Sequence, residues 1–186
     1  MNPLTNLQAA AKDVLSYKAR VLANQVLKDK RFAYWSGSAK PEHHHYGHGG
    51  LCKHTWEVTK LCFVNKNSLD IDAINEEELF LAALYHDIGK LYDYEYVNEG
   101  WRGTDHKRLI HHISRSAIMW SNMFEKLPNL NKDLHDPVLH AILAHHGHRE
   151  WGSPVAPKTQ VAWMLHLCDG ISARMDDFNR LDVAKL

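Results

Sequence analysis

Three cysteines in 186 residues, Cys52, Cys62 and Cys168, are too few and too scattered to frame a fold. Their number is odd, none stands in a C-x-x-C spacing, and each lies in an apolar segment. They are therefore read as reduced core residues, not as a disulfide scaffold. No stretch reaches the roughly 18–20 uninterrupted apolar residues of a membrane span, and no signal-peptide pattern opens the chain. Neither a membrane protein nor a secreted one is expected, and a cytoplasmic location follows. Net charge is absent too, with 22 Lys and Arg against 22 Asp and Glu. That excludes the global positive field that gathers long nucleic acid non-specifically, though not a local basic patch. There is no internal repeat, no low-complexity tract, and no alternation long enough for a sheet. What is present is one domain able to bury a core, and 15 histidines that fall in clusters.

Most of the chain reads as helix. Apolar residues from Leu4 to about Lys30 recur at helical spacing and predict one N-terminal helix. Arg31–Gly50 has no single period and reads as a long loop, with Phe32, Tyr34 and Trp35 followed by the run from His43 to Gly50. Such loops in compact domains are more often functional than not. At least one of His44 and His45 is a candidate to face a site; the plainer reading is a solvated loop. Leu51 to about Asn65 places Leu51, His54, Val58, Leu61 and Cys62 on one helical face. A third helix begins near Asn75 and runs through Leu79, Ala82 and Ala83 into His86.

Tyr92, Tyr94 and Tyr96 alternate with Asp93 and Glu95 before Asn98-Glu99-Gly100, which suggests a short hairpin with Trp101 on its return. Asp105 is a candidate cap for a fourth helix to about Phe124. Its inward stripe collects Leu109, His112, Ile113, Ser116, Ala117, Trp120 and Phe124, and leaves His111 off the face. Pro128 ends that segment. Asp136-Pro137 restarts a fifth helix, as cap and first helical residue, which delivers His145-His146 to a C-terminus closed by Gly147. The last helix starts near Lys158 or Thr159 and carries Ala162, Leu165 and Asp169 on one face.

The segment His86-Asp87-Ile88-Gly89-Lys90 organises this list. Neighbours on a helix point about 100° apart, so His86 and Asp87 can serve one ion only where the helix ends, and Gly89 is a plausible stop. An imidazole beside a carboxylate suits a borderline divalent metal, and the two carboxylate oxygens allow a bridge between two ions. Five segments in all offer a candidate ligand at an inward face or helix end: His54, His86 with Asp87, His112, His145 or His146, and Asp169. Each alone reads equally well as a core histidine or a capping aspartate. Together they would need several buried polar groups each to find its own partner, and a shared metal centre satisfies them at once.

The order H, HD, H, HH, D on a mainly helical chain resembles the HD superfamily of metal-dependent phosphohydrolases. It is most similar to the HD domain of YhaM-type 3′-5′ exoribonucleases. The match runs through His44-His45-Tyr46, Gly49-Gly50-Leu51, His54-Thr55, His86-Asp87-Ile88-Gly89-Lys90, His112-Ile113, His145-His146-Gly147, Gly152-Ser153-Pro154-Val155 and Leu165-His166 ahead of Asp169. The resemblance implies an all-α HD-domain bundle with a metal centre between its helices. It also implies one domain over residues 1–186: an N-terminal helix (1–30), an HD core (31–175) and a C-terminal tail (176–186).

It further implies that His54, His86, Asp87 and Asp169 hold one metal, and that Asp87 bridges to a second held by His112 with His145, His146 or both. Mixed imidazole and carboxylate ligation suits two divalent Mn, Fe, Co or Ni ions better than Mg. The implied reaction is cleavage of a phosphodiester or phosphomonoester of a nucleotide or short oligonucleotide by metal-activated hydroxide. Asp87, Lys90 and His146 are the candidate catalytic groups; His44, His45, Tyr46 and Lys90 are the candidate substrate contacts. Lys90 reads alternatively as a lysine favourably placed at a helix C-terminus. Trp35, Tyr46, Trp101 and Trp151 are read as loop aromatics that either stack on a base or form the contact of a homodimer. Two other functions use the same residues: a di-iron HD-type oxygenase acting on a small molecule, and a nucleotide-binding HD domain without turnover.

Overall fold

A computed structural model describes residues 2–127 and 131–180 of the chain. It is a helical bundle: α1 Pro3–Val14, α2 Tyr17–Leu27, α3 Lys30–Tyr34, α4 Gly50–Ser68, α5 Glu76–Tyr85, α6 Lys90–Asp93, a hairpin of β1 Tyr94–Val97 and β2 Gly100–Gly103, then α7 Asp105–Leu109, α8 His112–Glu125, α9 His135–Ala144 and α10 Gln160–Arg180. Single 3₁₀ turns at Lys132–Leu134 and Arg149–Trp151 lead into α9 and follow it.

The bundle is built around α5. Every residue from Leu79 to Tyr85 is buried, which a helix apolar on all sides requires, and α1, α2, α4, α8, α9 and α10 all pack on it. Asn75 caps it, its side chain accepting from the Glu77 and Glu78 amides, and Glu76, Glu77 and Glu78 lie at the positive end of the helix dipole. At the far end of α5, the Tyr85 hydroxyl donates to the Leu22 carbonyl at 2.9 Å. The three cysteines are free and buried. No helix among the described residues is long and apolar enough to cross a membrane.

Several boundaries differ from the periodicity. The single N-terminal helix is two, because Ser16 caps a new helix at Tyr17, and Asp29 caps a further short helix, α3, at the start of the segment read as loop. The fourth helix is two. Thr104, not Asp105, caps α7, and the chain breaks at His111 (φ 68) before α8 begins; Leu109 is consequently exposed. Asp136 is not a cap, since α9 already begins at His135 and Asn131 caps the turn before it. The supposed tail belongs in part to α10, which continues through 176–180, and buried Asp176 anchors that end. Pro128 and residues 181–186 lie outside the described residues. The hairpin is present, with Tyr94 opposite Gly103 and Tyr96 opposite Trp101. Asn98 and Glu99, at φ 50 and 62, supply the two left-handed residues of a tight turn.

Candidate metal centre

The C-terminal ends of α5 and α9 point into one space, walled by the middle of α4, the start of α8 and the middle of α10. Helix α5 runs out at His86, and the turn through Asp87 and Gly89 rejoins helix at Lys90. Gly89 does not stop the helix through a left-handed cap; its φ is −60°. It is needed for closeness, because a Cβ there would lie 2.2 Å from the His112 carbonyl oxygen. The turn can thus lie against the start of α8, where the Gly89 amide donates to Ser116 Oγ at 2.9 Å. Gly147 does end α9 with a left-handed φ of 80°, and a Cβ there would collide with the His166 ring.

All seven predicted ligands converge. His54 Nε2 lies 3.0 Å from Asp169 Oδ1, 3.4 Å from Asp87 Oδ2 and 3.2 Å from His86 Nε2. On the other side of the same carboxylate, Asp87 Oδ1 lies 3.3 Å from His112 Nε2 and 3.7 Å from His145 Nε2. The donor atoms of His112, His145 and His146 lie within 4.8 Å of one another, as do those of His54, His86 and Asp87. Asp87 therefore divides its oxygens between two groups of imidazoles.

The outer nitrogens explain why the inner ones face inward. His86 Nδ1 donates to the Ala83 carbonyl at 2.8 Å, His145 Nδ1 to the Ile142 carbonyl at 2.7 Å, His146 Nδ1 to the Trp151 carbonyl at 2.6 Å, and His54 Nδ1 to Ser172 Oγ at 3.1 Å. A carbonyl accepts only from N–H, so in the neutral rings of His86, His145 and His146 Nε2 carries the lone pair, as a metal ligand must. His112 has Asp93 instead, with Oδ2 3.3 Å from its Nδ1 and accepting its backbone N–H at 3.0 Å. Asp93 Oδ1 in turn accepts from His106 Nδ1 at 2.8 Å. Asp93 escaped the sequence reading as one polar member of the tyrosine alternation, yet it is fully buried.

This geometry suits cations. Asp87 Oδ1, His112 Nε2 and His145 Nε2 are buried without a hydrogen-bond partner, a costly state for polar atoms that a shared ion would relieve. Burial alone would raise Asp169 and Asp87. The hydrogen bond and charge of His54 hold Asp169 well below the usual carboxylate range, and Lys90 and His86 do the same for Asp87. Burial would lower His54, but Asp169 and Asp87 push it up to about 9, whereas burial takes His112 down to about 4. Lys90 is buried with Nζ 2.7 Å from Asp87 Oδ2, and that carboxylate raises its pKa against burial.

Two open lobes meet over the centre. The larger, about 630 Å³, has Lys90, His112 and His146 in its wall; the smaller, about 340 Å³, has Asp87, His145 and Asp169. His43, His44, Lys90 and His146 belong to both. The predicted substrate contacts divide. Lys90 and His44 line the lobes. His45 does not: it is 1% exposed, its Nε2 donates to Glu57 at 2.9 Å, and its backbone N–H donates to Asp176 at 2.6 Å. Tyr46 lines neither lobe. Of the aromatics, Trp101 sits on β2 in the wall of the larger lobe, Trp151 stands exposed at the smaller, and Trp35 packs edge-on against Trp101 at 5.0 Å. His43, His111 and His166 also line the lobes. The His43-His44-His45 cluster pointed to the first, while His111 had been set aside as off the helical stripe.

A helical bundle with imidazoles and carboxylates of five helical segments gathered around one central aspartate defines a candidate metal-binding domain. The chain belongs to the HD domain family, whose model matches residues 51–174. Among curated proteins it is similar to the 3′-5′ exoribonuclease YhaM of Shouchella clausii, 29% identical over 164 residues, or 83% of this chain and 47% of that one. It is likewise similar to YhaM of Bacillus pumilus, 29% identical over 151 residues (76% and 44%), and of Halalkalibacterium halodurans, 28% over 171 residues (88% and 50%). The chain spans about half the length of the curated relatives it matches. No solved structure matches it.

Proposed function

We propose that this protein is a metal-dependent phosphohydrolase that cleaves a phosphodiester or phosphomonoester of a nucleotide or short oligonucleotide. The observation that carries the reading is the division of Asp87 between two imidazole groups, with Asp87 Oδ1, His112 Nε2 and His145 Nε2 buried and unpaired. His54, His86, Asp87 and Asp169 would hold one divalent transition ion, and Asp87, His112, His145 and His146 a second. Two such ions, when bound, lower the pKa of a water and stabilise the attacking and leaving oxygens of an in-line displacement at phosphorus.

The chain's own groups serve that chemistry. Asp87 is kept ionised, and Lys90 offsets its charge while lining both lobes, where it meets substrate phosphate. His146 donates from Nδ1 to the Trp151 carbonyl, so its neutral ring offers a lone pair at Nε2. A ligand's role suits it better than a proton donor's. His45 Nε2 donates to Glu57, which leaves its Nδ1 to accept from His44 Nδ1 at 3.2 Å. His44 is thereby left with Nε2 as an acceptor, and burial, which takes its pKa down to about 2, keeps the ring neutral. It suits a substrate hydroxyl or water.

The test is metal content of protein purified without added metal, followed by Mn²⁺-dependent cleavage of bis-p-nitrophenyl phosphate, cyclic and linear dinucleotides and short RNA. About two metals per chain with metal-dependent ester cleavage is expected, and Asp87→Ala should abolish both. Two irons with no ester cleaved would replace the reading by the oxygenase; little metal and no turnover would replace it by a binding domain.

A further inference from the structure

The larger lobe carries charge that the chemistry above does not use. Its lining presents four basic side chains, Lys40, Lys90, Arg102 and Lys107, and no carboxylate. Lys90 is offset by Asp87 at 2.7 Å, and Arg102 by Glu95 at 2.8 Å. Lys40 and Lys107 have no carboxylate within ion-pairing distance among the described residues. Lys107 is held by other means: its Nζ lies 4.9 Å from the centroid of the Tyr94 ring, and its stem passes close to Gly103. Burial, and after it repulsion from Lys90 and Lys40, lowers its pKa against the pull of Asp93. Trp101, in the same wall, has a buried Nε1–H without an acceptor.

Two unpaired ammonium groups, that of Lys107 held over the Tyr94 ring, in a cavity of this size with Trp101 in its wall fit an anionic, aromatic ligand. The lobe joins the smaller one through His43, His44, Lys90 and His146, so one nucleotide chain can lie in both. We infer that the larger lobe seats the phosphate that flanks the scissile one, with Lys40 and Lys107 as its counter-charges. The preferred substrate is then a chain with at least two phosphates, not a mononucleotide or a minimal diester. This rests on the phosphohydrolase reading.

The test compares Mn²⁺-dependent kcat/KM for ApApA, with two phosphates, and for ApA and bis-p-nitrophenyl phosphate, with one each. The wild-type protein should prefer ApApA over ApA by about a hundredfold, the effect of two charge-assisted contacts of about tenfold each. Lys40→Ala and Lys107→Ala should each lower that preference about tenfold and reduce the salt dependence on ApApA by about one counterion; Lys107→Arg should keep most of it. Equal rates on ApApA and ApA in the wild type, or an unchanged preference in both alanine variants, would overturn the inference. Failure to cleave any of the three refutes the phosphohydrolase reading instead. Calorimetric binding of ApApA and ApA to Mn²⁺-loaded protein then decides: weaker ApApA binding by Lys107→Ala supports the subsite, and affinities equal to wild type overturn it.

Discussion

Replacing Asp93 by asparagine keeps the shape of the side chain and removes its charge and one acceptor. In the native protein Oδ2 accepts the His112 backbone N–H at 3.0 Å and lies 3.3 Å from His112 Nδ1, while Oδ1 accepts from His106 at 2.8 Å. The side-chain amide nitrogen that the change introduces can accept neither bond, so one buried donor is left unmatched, at a cost of about 1–3 kcal/mol to the fold. For the metal the consequence is specific. Loss of an outer-shell partner lowers affinity about 10–100-fold, which is about 1.4–2.8 kcal/mol, and Asp93 touches His112 but none of His54, His86 and Asp169. Asp93→Asn should therefore weaken one of two ions. The assay is elemental analysis after dialysis against graded concentrations of a competing chelator, with circular dichroism melting to confirm a folded chain. Wild-type protein should retain two equivalents where the variant retains one. Retention of both at wild-type affinity would refute the assignment of His112 to its own metal, and loss of both together in a folded variant would refute two separable sites.

Other outcomes follow from the same geometry. Gly89→Ala drives a methyl to within 2.2 Å of the His112 carbonyl, so it should destabilise the fold by about 1–3 kcal/mol and lower metal content, read by melting and elemental analysis; a wild-type melting curve would contradict the packing of that turn on α8. Metal-free protein should be most stable near pH 6.5. His44, His112 and His145 have lowered pKa values in the folded state, to about 2 and about 4 for the first two. Below the ordinary imidazole pKa near 6.5 the unfolded chain binds protons that they do not, and stability falls toward pH 4. His54 is raised to about 9, so its contribution is full below 6.5 and is lost as pH rises through 9. Urea midpoints of chelator-treated protein at pH 5, 6.5 and 9 check this, and a midpoint that climbs steadily from 5 to 9 would refute it.

The features legible in the sequence are those that a short window determines. His54 and His112 lie on the buried faces that helical periodicity assigns, and His86 and His145 sit at helix ends marked by following glycines. The hairpin was readable from five alternating residues and a turn. Its tyrosine alternation nonetheless hid Asp93, because burial there is decided by α7 and α8, which bring His106 and His112 to its two oxygens. His45 shows the same limit at longer range. Its neighbours His43 and His44 line the cleft, but Asp176, 131 residues later, takes the His45 backbone N–H and fixes the left-handed φ of 55° that turns the ring inward to Glu57. No local pattern records a pairing between a loop and the last turns of the final helix.

The break at His111 belongs to this class, and it bears on function. A continuous helix from Asp105 to Phe124 would keep His111 off the inward stripe. The φ of 68° at His111 ends α7, starts α8 with His112 against Asp93, and leaves His111 in the wall of the larger lobe. Gly89 is what permits the approach of α8 that this break requires, so the glycine of the central motif and the interruption of a helix more than twenty residues away are two parts of one contact. That contact sets where His112 meets Asp87. A helix-favouring change at the break, such as His111→Ala, should therefore disturb the site more than loss of one cleft side chain would. The expectation is weaker metal retention with a melting temperature close to wild type; unchanged retention would mean that Gly89 and Asp93 suffice to hold His112.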